Sequence, residues 1–253
     1  MRTQPVLFVS HGSPMLALGD SPYARSLAAF AAALPERPRA VLVVSAHWQT
    51  AGPRVASAAR PGVLHDFGGF PRELYALDYP APGDPALALR AAAVLGAEPD
   101  PLRPLDHGAW AVLRHLFPGA EVPVVQVSLP RASPADLVAM GRALRAFREE
   151  GVLILASGGL VHNLGRVAWS APDGQAEAWA LEAESWFLER IVDGRLEELL
   201  DHRDAWPQSH GAAPTTEHLD PVFVALGAAE GPARTVFDGW QLGSMSLRSL
   251  AWG

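Results

Sequence analysis

Residues 6–15 read VLFVSHGSPM: four apolar side chains run straight into Ser10, His11 and Gly12. A short run with no polar interruption suits a strand covered on both faces, as in a parallel sheet flanked by helices. Three more runs share that character, AVLVVSAH (40–47), VPVVQVSL (122–129) and GVLILASGG (151–159). Between and beyond them lie helical patterns at 22–34, 84–96, 107–117, 133–150, 174–194, 195–202 and 219–229. The helix from 133 has a clear start, because Ser133 is an N-cap residue and Pro134 fits the first helical position. A loop is expected over 203–218, and two closing strands over 233–240 and 244–252.

Strands alternating with helices predict an α/β fold with a central, mostly parallel sheet flanked by helices. No repeat, linker or low-complexity segment divides the chain, so one catalytic domain is expected over residues 1–253. In such sheets ligands bind beyond the carboxyl ends of the strands. His11 follows the first run, His47 the second and His162 the fourth. Neutral imidazole offers a lone pair near neutral pH without an ionisation cost, so three histidines at one sheet edge suggest a metal site. The competing reading is that each only caps its strand and bonds a nearby carbonyl.

Composition narrows the chemistry. The net charge of −7 and the absence of a basic, aromatic-rich run argue against a nucleic-acid partner. No apolar run reaches the roughly 20 residues that span a bilayer. The first residues lack a signal-peptide core, so a cytoplasmic protein is expected. Cysteine is absent, which removes disulfides, thiolate metal sites and a cysteine nucleophile. Neither HExxH nor a calcium loop is present, so any metal site must be assembled from distant segments. Ser13 lacks the setting of a hydrolase nucleophile, since HGSPM is not a GxSxG elbow.

Two further histidines stand out by context, His107 in LDHGAW and His218 in TTEHLDP. The stretch 60–85 is long, irregular and aromatic, with His65, Phe67, Phe70, Tyr75 and Tyr79. Long irregular segments in compact domains are usually functional or mobile. Substrate contact is therefore expected from His65, Phe67 and Tyr75. His115, His202 and His210 are expected on solvent-exposed helix or loop surface.

Taken together, SHGSPM (10–15), SAHW (45–48), HDFGGFPRELY (65–75), YPAPG (79–83), LDHGAW (105–110), SGGLVHNL (157–164) and TTEHLDP (215–221) resemble the class III, LigB-type extradiol ring-cleavage dioxygenases. The resemblance is to the 4,5-DOPA extradiol dioxygenase branch and covers nearly the whole chain. It implies an α/β protein with one non-haem divalent metal at the strand edge. By this resemblance His11, His47 and His218 are the metal ligands. His162 is the acid/base residue and can also reach the metal as a fourth ligand. His107 is a second catalytic histidine, contacting substrate or dioxygen. Many class III enzymes use two histidines and a glutamate, so Glu217, beside His218, is the alternative third ligand.

The implied substrates are a small, DOPA-like aromatic diol and O2, with both oxygen atoms incorporated on ring opening. Fe(II) is expected for catalysis, and Zn(II) would also be held well by an all-histidine site. Two other functions fit the same residues, a zinc-dependent hydrolase that activates water and a non-catalytic metal- or ligand-binding protein. Dependence on Fe(II) with consumption of O2 separates the first reading from both.

Overall fold

The computed structural model describes residues 2–253. Ten strands are formed, β1 (Val6–Ser10), β2 (Ala40–Thr50), β3 (Arg54–Ala56), β4 (Glu98–Asp100), β5 (Val124–Pro130), β6 (Val152–Gly158), β7 (Arg234–Phe237), β8 (Trp240–Gln241), β9 (Met245–Ser246) and β10 (Ser249–Trp252). Eight of them make one sheet in the order β4-β3-β5-β2-β6-β1-β10-β7. The four central strands, β5, β2, β6 and β1, pair in parallel. Antiparallel pairing is confined to the flanks, where β3 meets β5 and where β10 meets β1 and β7.

The helices are α1 (Pro22–Ala32), α2 (Arg72–Tyr75), α3 (Pro85–Leu95), α4 (His107–Leu116), α5 (Pro134–Leu144), α6 (Ala178–Val192), α7 (Leu196–Leu200), α8 (His202–Ala205), α9 (Ser209–Ala212) and α10 (Pro221–Ala228). Three of them start by one device. Ser21, Asp84 and Ser133 each accept a backbone N–H of the first turn, and each precedes a proline whose missing N–H is not needed there. Each such cap stabilises its helix by about 1 kcal/mol.

The unbroken apolar runs are explained by burial on both faces. Val6 and Phe8 of β1 join the core beneath α3, α5, α6 and α10, whereas Leu7 and Val9 join the core beneath α1 and α4. Leu42 and Val44 divide from Val41 and Val43 in the same way, as do Ile154 and Ala156 from Leu153 and Leu155. Successive side chains point to opposite faces, so a strand with a core on each side is largely apolar, and its buried polar residues, such as Gln126 of β5 and Ser157 of β6, are held by hydrogen bonds.

Three features differ from the sequence expectation. Residues 203–218 are not one loop, since α8 and α9 lie partly or wholly within them. The run 133–150 divides into α5 and a 3-10 turn at Arg145–Arg148. Strands β3 and β4, three residues each, have no sequence signal long enough to read, and β4 contains Pro99, which only an edge strand tolerates.

Candidate metal centre

The parallel core brings the candidate histidines to one place. His11 immediately follows β1, and its N–H donates to the Gly158 carbonyl at the end of β6 (3.0 Å). His47 lies within β2 where that strand leaves register with β5, between the pairs Val44–Val127 and Gln49–Leu129. Such bulges re-aim side chains at strand ends. His218 precedes α10, and its carbonyl accepts the Gly159 N–H at 2.7 Å. That close approach requires glycine at 158, where a Cβ would lie 2.1 Å from the His218 oxygen. One pair of residues at the end of β6 thus fixes the backbones of both His11 and His218.

His107 is the first residue of α4, placed by its buried neighbour Asp106. The Asp106 carboxylate caps the helix by accepting the Ala109 N–H, and it also accepts the Ser45 hydroxyl (2.7 Å), the Arg103 guanidinium (2.9 Å) and the Gln126 amide. Gly108 lets this first turn sit against β2, since a Cβ there would meet Ser45 Oγ at 2.4 Å and the His47 ring at 3.1 Å.

The result is a cluster of imidazoles. Ring centroids of His11, His47 and His218 lie 4.9–5.3 Å apart, and these three each offer a nitrogen within 4.8 Å of the others. His107 stands 4.0 Å from His47. His162 stacks on His218 at 3.6 Å with the rings 5° from parallel, while its backbone N–H donates to Ala212 (2.8 Å).

Three oxygen-bearing side chains orient these rings. The Ser157 hydroxyl donates to the Gly108 carbonyl (2.6 Å), so towards His11 Nδ1, 2.9 Å away, it accepts. Asp66 lies 3.3 Å from His47 Nδ1 with one carboxylate oxygen. Its other oxygen takes both Nδ1 (3.0 Å) and the backbone N–H (2.9 Å) of His107. Glu217 accepts from His218 Nδ1 at 3.2 Å. With Ser157 accepting from Nδ1 of His11 and the Asp66 carboxylate facing Nδ1 of His47, the Nδ1-protonated tautomers turn the Nε2 lone pairs of the two rings toward each other, 3.1 Å apart. Two lone pairs at that distance repel unless a cation lies between them. The separation is one that two nitrogens bound about 2.0–2.1 Å from a single ion can adopt. The donor set fits a divalent metal.

Electrostatics agree. Burial first, then the neighbouring imidazoles, lower His11 well below the ordinary histidine value. The same causes lower His47 to about 2, and burial followed by His218 lowers His162 to about 3. These rings are therefore neutral in the folded, metal-free protein, the form that binds metals. Burial pulls Asp66 upward, but the hydrogen bonds from His107 outweigh it and hold the carboxyl at about 2. The hydrogen bond from His218 leads in holding Glu217 at about 2.

A cavity of about 360 Å³ opens over the cluster, lined by the five histidines and Asp66 at its floor and by Phe67 and Phe70 on one wall. His65 and Tyr75 do not line it. His65 bonds the Leu77 carbonyl (3.0 Å), and Tyr75 is partly exposed behind Phe67. Tyr79 is buried, with its hydroxyl on the Phe117 carbonyl. Glu217 is outside the His11, His47 and His218 group and outside the cavity lining, and it accepts from His218 Nδ1 instead.

Two expectations of exposure are corrected. His202 is 1% exposed, because α8 tucks under α6 and α10, where its Nδ1 meets the Leu199 carbonyl. His115 is half-buried and bonds the Leu16 carbonyl at 2.8 Å. His210 is exposed, as expected. Asp66, Ser157 and the hydrogen-bonding role of Glu217 are absent from the sequence reading, although Asp66 stands next to His65 in a stretch already singled out.

Residues 5–246 match the family model described as the catalytic LigB subunit of aromatic ring-opening dioxygenase. The chain is 40% identical to a protein named 4,5-DOPA dioxygenase extradiol from Escherichia coli (strain K12), over 98% of this chain and 94% of that one. It is 36% identical to the protein of the same name from Beta vulgaris, over 96% and 94%. A crystal structure of an uncharacterized Escherichia coli K12 protein superposes with a TM-score of 0.82 at 34% identity, covering 99% of this chain and all of that one.

Proposed function

Because the chain belongs to the family of the catalytic LigB subunit of aromatic ring-opening dioxygenases and is a metal-dependent extradiol dioxygenase, we propose that His11, His47 and His218 hold its single non-haem metal and that a catechol is the ring it opens. The observation that carries the assignment is the pair of facing Nε2 lone pairs, 3.1 Å apart, each ring anchored through Nδ1. Fe(II) is the metal for turnover, and Zn(II) is held by the same three nitrogens without supporting it. A divalent metal held there would supply Lewis acidity to a bound diol and the redox centre for reaction with O2.

The protein's own groups do the rest. His162 lines the cavity and is committed to no side-chain partner, so it can take a catechol hydroxyl proton as a general base. The same imidazole, once charged, returns a proton to oxygen as the ring opens. His107, tethered to Asp66 through Nδ1, turns Nε2 to the cavity and fixes the second hydroxyl side of the substrate. Phe67 packs edge-on against His107 at 5.5 Å, so it and Phe70 supply a flat apolar wall for the ring and exclude water. The carboxylate of Asp66 serves two rings at once and couples the metal ligand His47 to the substrate-facing His107.

Anaerobic loading with Fe(II), followed by O2 uptake against a panel of catechols, tests this reading. One O2 consumed per ring opened, with none consumed by the Zn(II)-loaded protein, is the expected result. Hydrolytic activity supported by Zn(II), with no O2 uptake on any catechol, would overturn it.

A further inference from the structure

The chain has twenty arginines and no lysine, so its side-chain cations can be followed one by one. None of the arginines lines the cavity above the histidines. Three that stand near lining residues in sequence are engaged elsewhere, and Arg72, two residues after Phe70, is solvent-exposed on α2 and is not part of the lining. Arg103 is bound to Asp106 and lies over Trp48, Arg166 stacks on Trp179 at 3.4 Å, and Arg248 is paired with Glu184 and Asp238. The one carboxylate in the lining is Asp66, whose oxygens are taken by His47 and His107.

The wall away from the histidines is apolar, and part of it is left in water. Leu164 and Trp169 line the cavity while 56% and 75% exposed, among the largest exposures of any big apolar side chain in the chain. Leu242 and Met245 complete that wall. Leu242 sits at φ 52°, in the left-handed region that favours glycine or asparagine. A strained backbone there still presents a branched apolar side chain to the cavity, and strain of this kind gathers at functional sites. Large apolar groups held open at the mouth of a ligand cavity are the expected contact surface for an apolar part of the ligand.

Resting on the catechol reading above, we infer that the substrate's ring substituent is uncharged and largely apolar, an alkyl or aryl group, and is gripped by Leu164, Trp169, Leu242 and Met245. A carboxylate or an amino-acid zwitterion in the same position finds no side-chain cation in the lining and gains nothing from contact with this apolar wall. The chain therefore discriminates against an amino-acid side chain on the catechol, although its relatives are named for one that carries it.

Four ligands with the same diol test this, unsubstituted catechol, 4-propylcatechol, 3-(3,4-dihydroxyphenyl)propionate and L-DOPA. Dissociation constants are measured by calorimetry with the Zn(II)-loaded protein, and kcat/KM by O2 uptake with the Fe(II)-loaded one. Propylcatechol is expected to exceed both charged ligands by roughly tenfold or more in each measurement. Trp169→Ala and Leu164→Ala, at positions too exposed to threaten folding, are expected to shrink the advantage of propylcatechol over catechol several-fold. Equal or better binding and turnover of L-DOPA overturns the inference while leaving the dioxygenase reading intact. Failure to bind or open any of the four, catechol included, overturns the catechol reading and this inference with it.

Discussion

At the carboxyl edge of the sheet five imidazoles crowd together, whereas beneath α6 and α10 a single one, His202, lies among Phe187, Trp206 and Phe223. Burial is the first cause of lowered basicity at His11, His47 and His162, as it is at His202. The difference lies in the second nitrogen. His202 gives Nδ1 to a backbone carbonyl, and its Nε2 has no partner among the described residues, surrounded by aromatic rings. At the sheet edge, Ser157, Asp66 and Glu217 take the Nδ1 protons and leave Nε2 atoms facing one another. Burial alone therefore does not distinguish a packing histidine from a ligand. What distinguishes them is where the remaining lone pair points and what stands opposite it.

The sharpest way to break this contrast is to remove one ring from each region. His162→Ala is expected to lower turnover by about 10²–10⁴-fold, the usual worth of a general acid/base, with most bound metal retained. His202→Phe should change neither quantity. Metal analysis beside kcat decides it, and loss of most metal in His162→Ala would make that ring a principal ligand.

Asp66→Asn comes next. The carboxamide keeps the shape but cannot accept equally from His47 and His107, so metal affinity or activity should fall about 10–100-fold, as is usual for such partners. Competition with a chelator gives the affinity directly. An unchanged affinity would mean that the His47 ring is held by packing alone.

Acid should expose both regions in the metal-free protein. Between the ordinary histidine value of about 6.5 and the folded values near 2 and 3 for His47 and His162, the unfolded chain binds protons that the fold does not. Stability then falls as pH falls, by at most about 1.4 kcal/mol per pH unit for each such histidine. Urea midpoints at pH 7.5, 6 and 5 with a chelator present would show it, and His202→Phe should remove only one contribution to the slope. A midpoint that stays level over that range would mean the cluster is already charged in the native state.

The smallest effect separates two aromatics of one loop. Phe67→Ala is expected to raise KM for a catechol several-fold, and Tyr75→Ala less, because Tyr75 reaches the cavity only through Phe67. Steady-state kinetics on both variants tests the order, and equal effects would move the wall of the cavity further along the loop.

Much of the sheet was legible because strands buried on both faces leave unbroken apolar runs, and each histidine following such a run is a visible interruption. The edge strands were not, being three residues long with no period to detect. Within residues 60–85 no helical or strand alternation says which side chain faces inward, so His65 and Tyr75 could not be told from Asp66 and Phe70 by pattern. Likewise His202 reads as surface because α7 and α8 are too short to show a buried face. The serine and carboxylate partners of the rings stand at contacts between distant segments, where spacing along the chain carries no information.

The bond from Gly159 to the His218 carbonyl, with Gly158 beneath it, has a consequence for how the protein comes to hold its metal. His11 arrives with the first strand and His218 with a segment near the far end of the chain, and both dock on the same turn after β6. Until that late segment has docked, a nascent chain offers only two of the three proposed ligands, a weak trap for any ion. On the proposed ligand set, metal acquisition is tied to completed folding, and an incompletely folded chain has little means of retaining a metal able to react with oxygen.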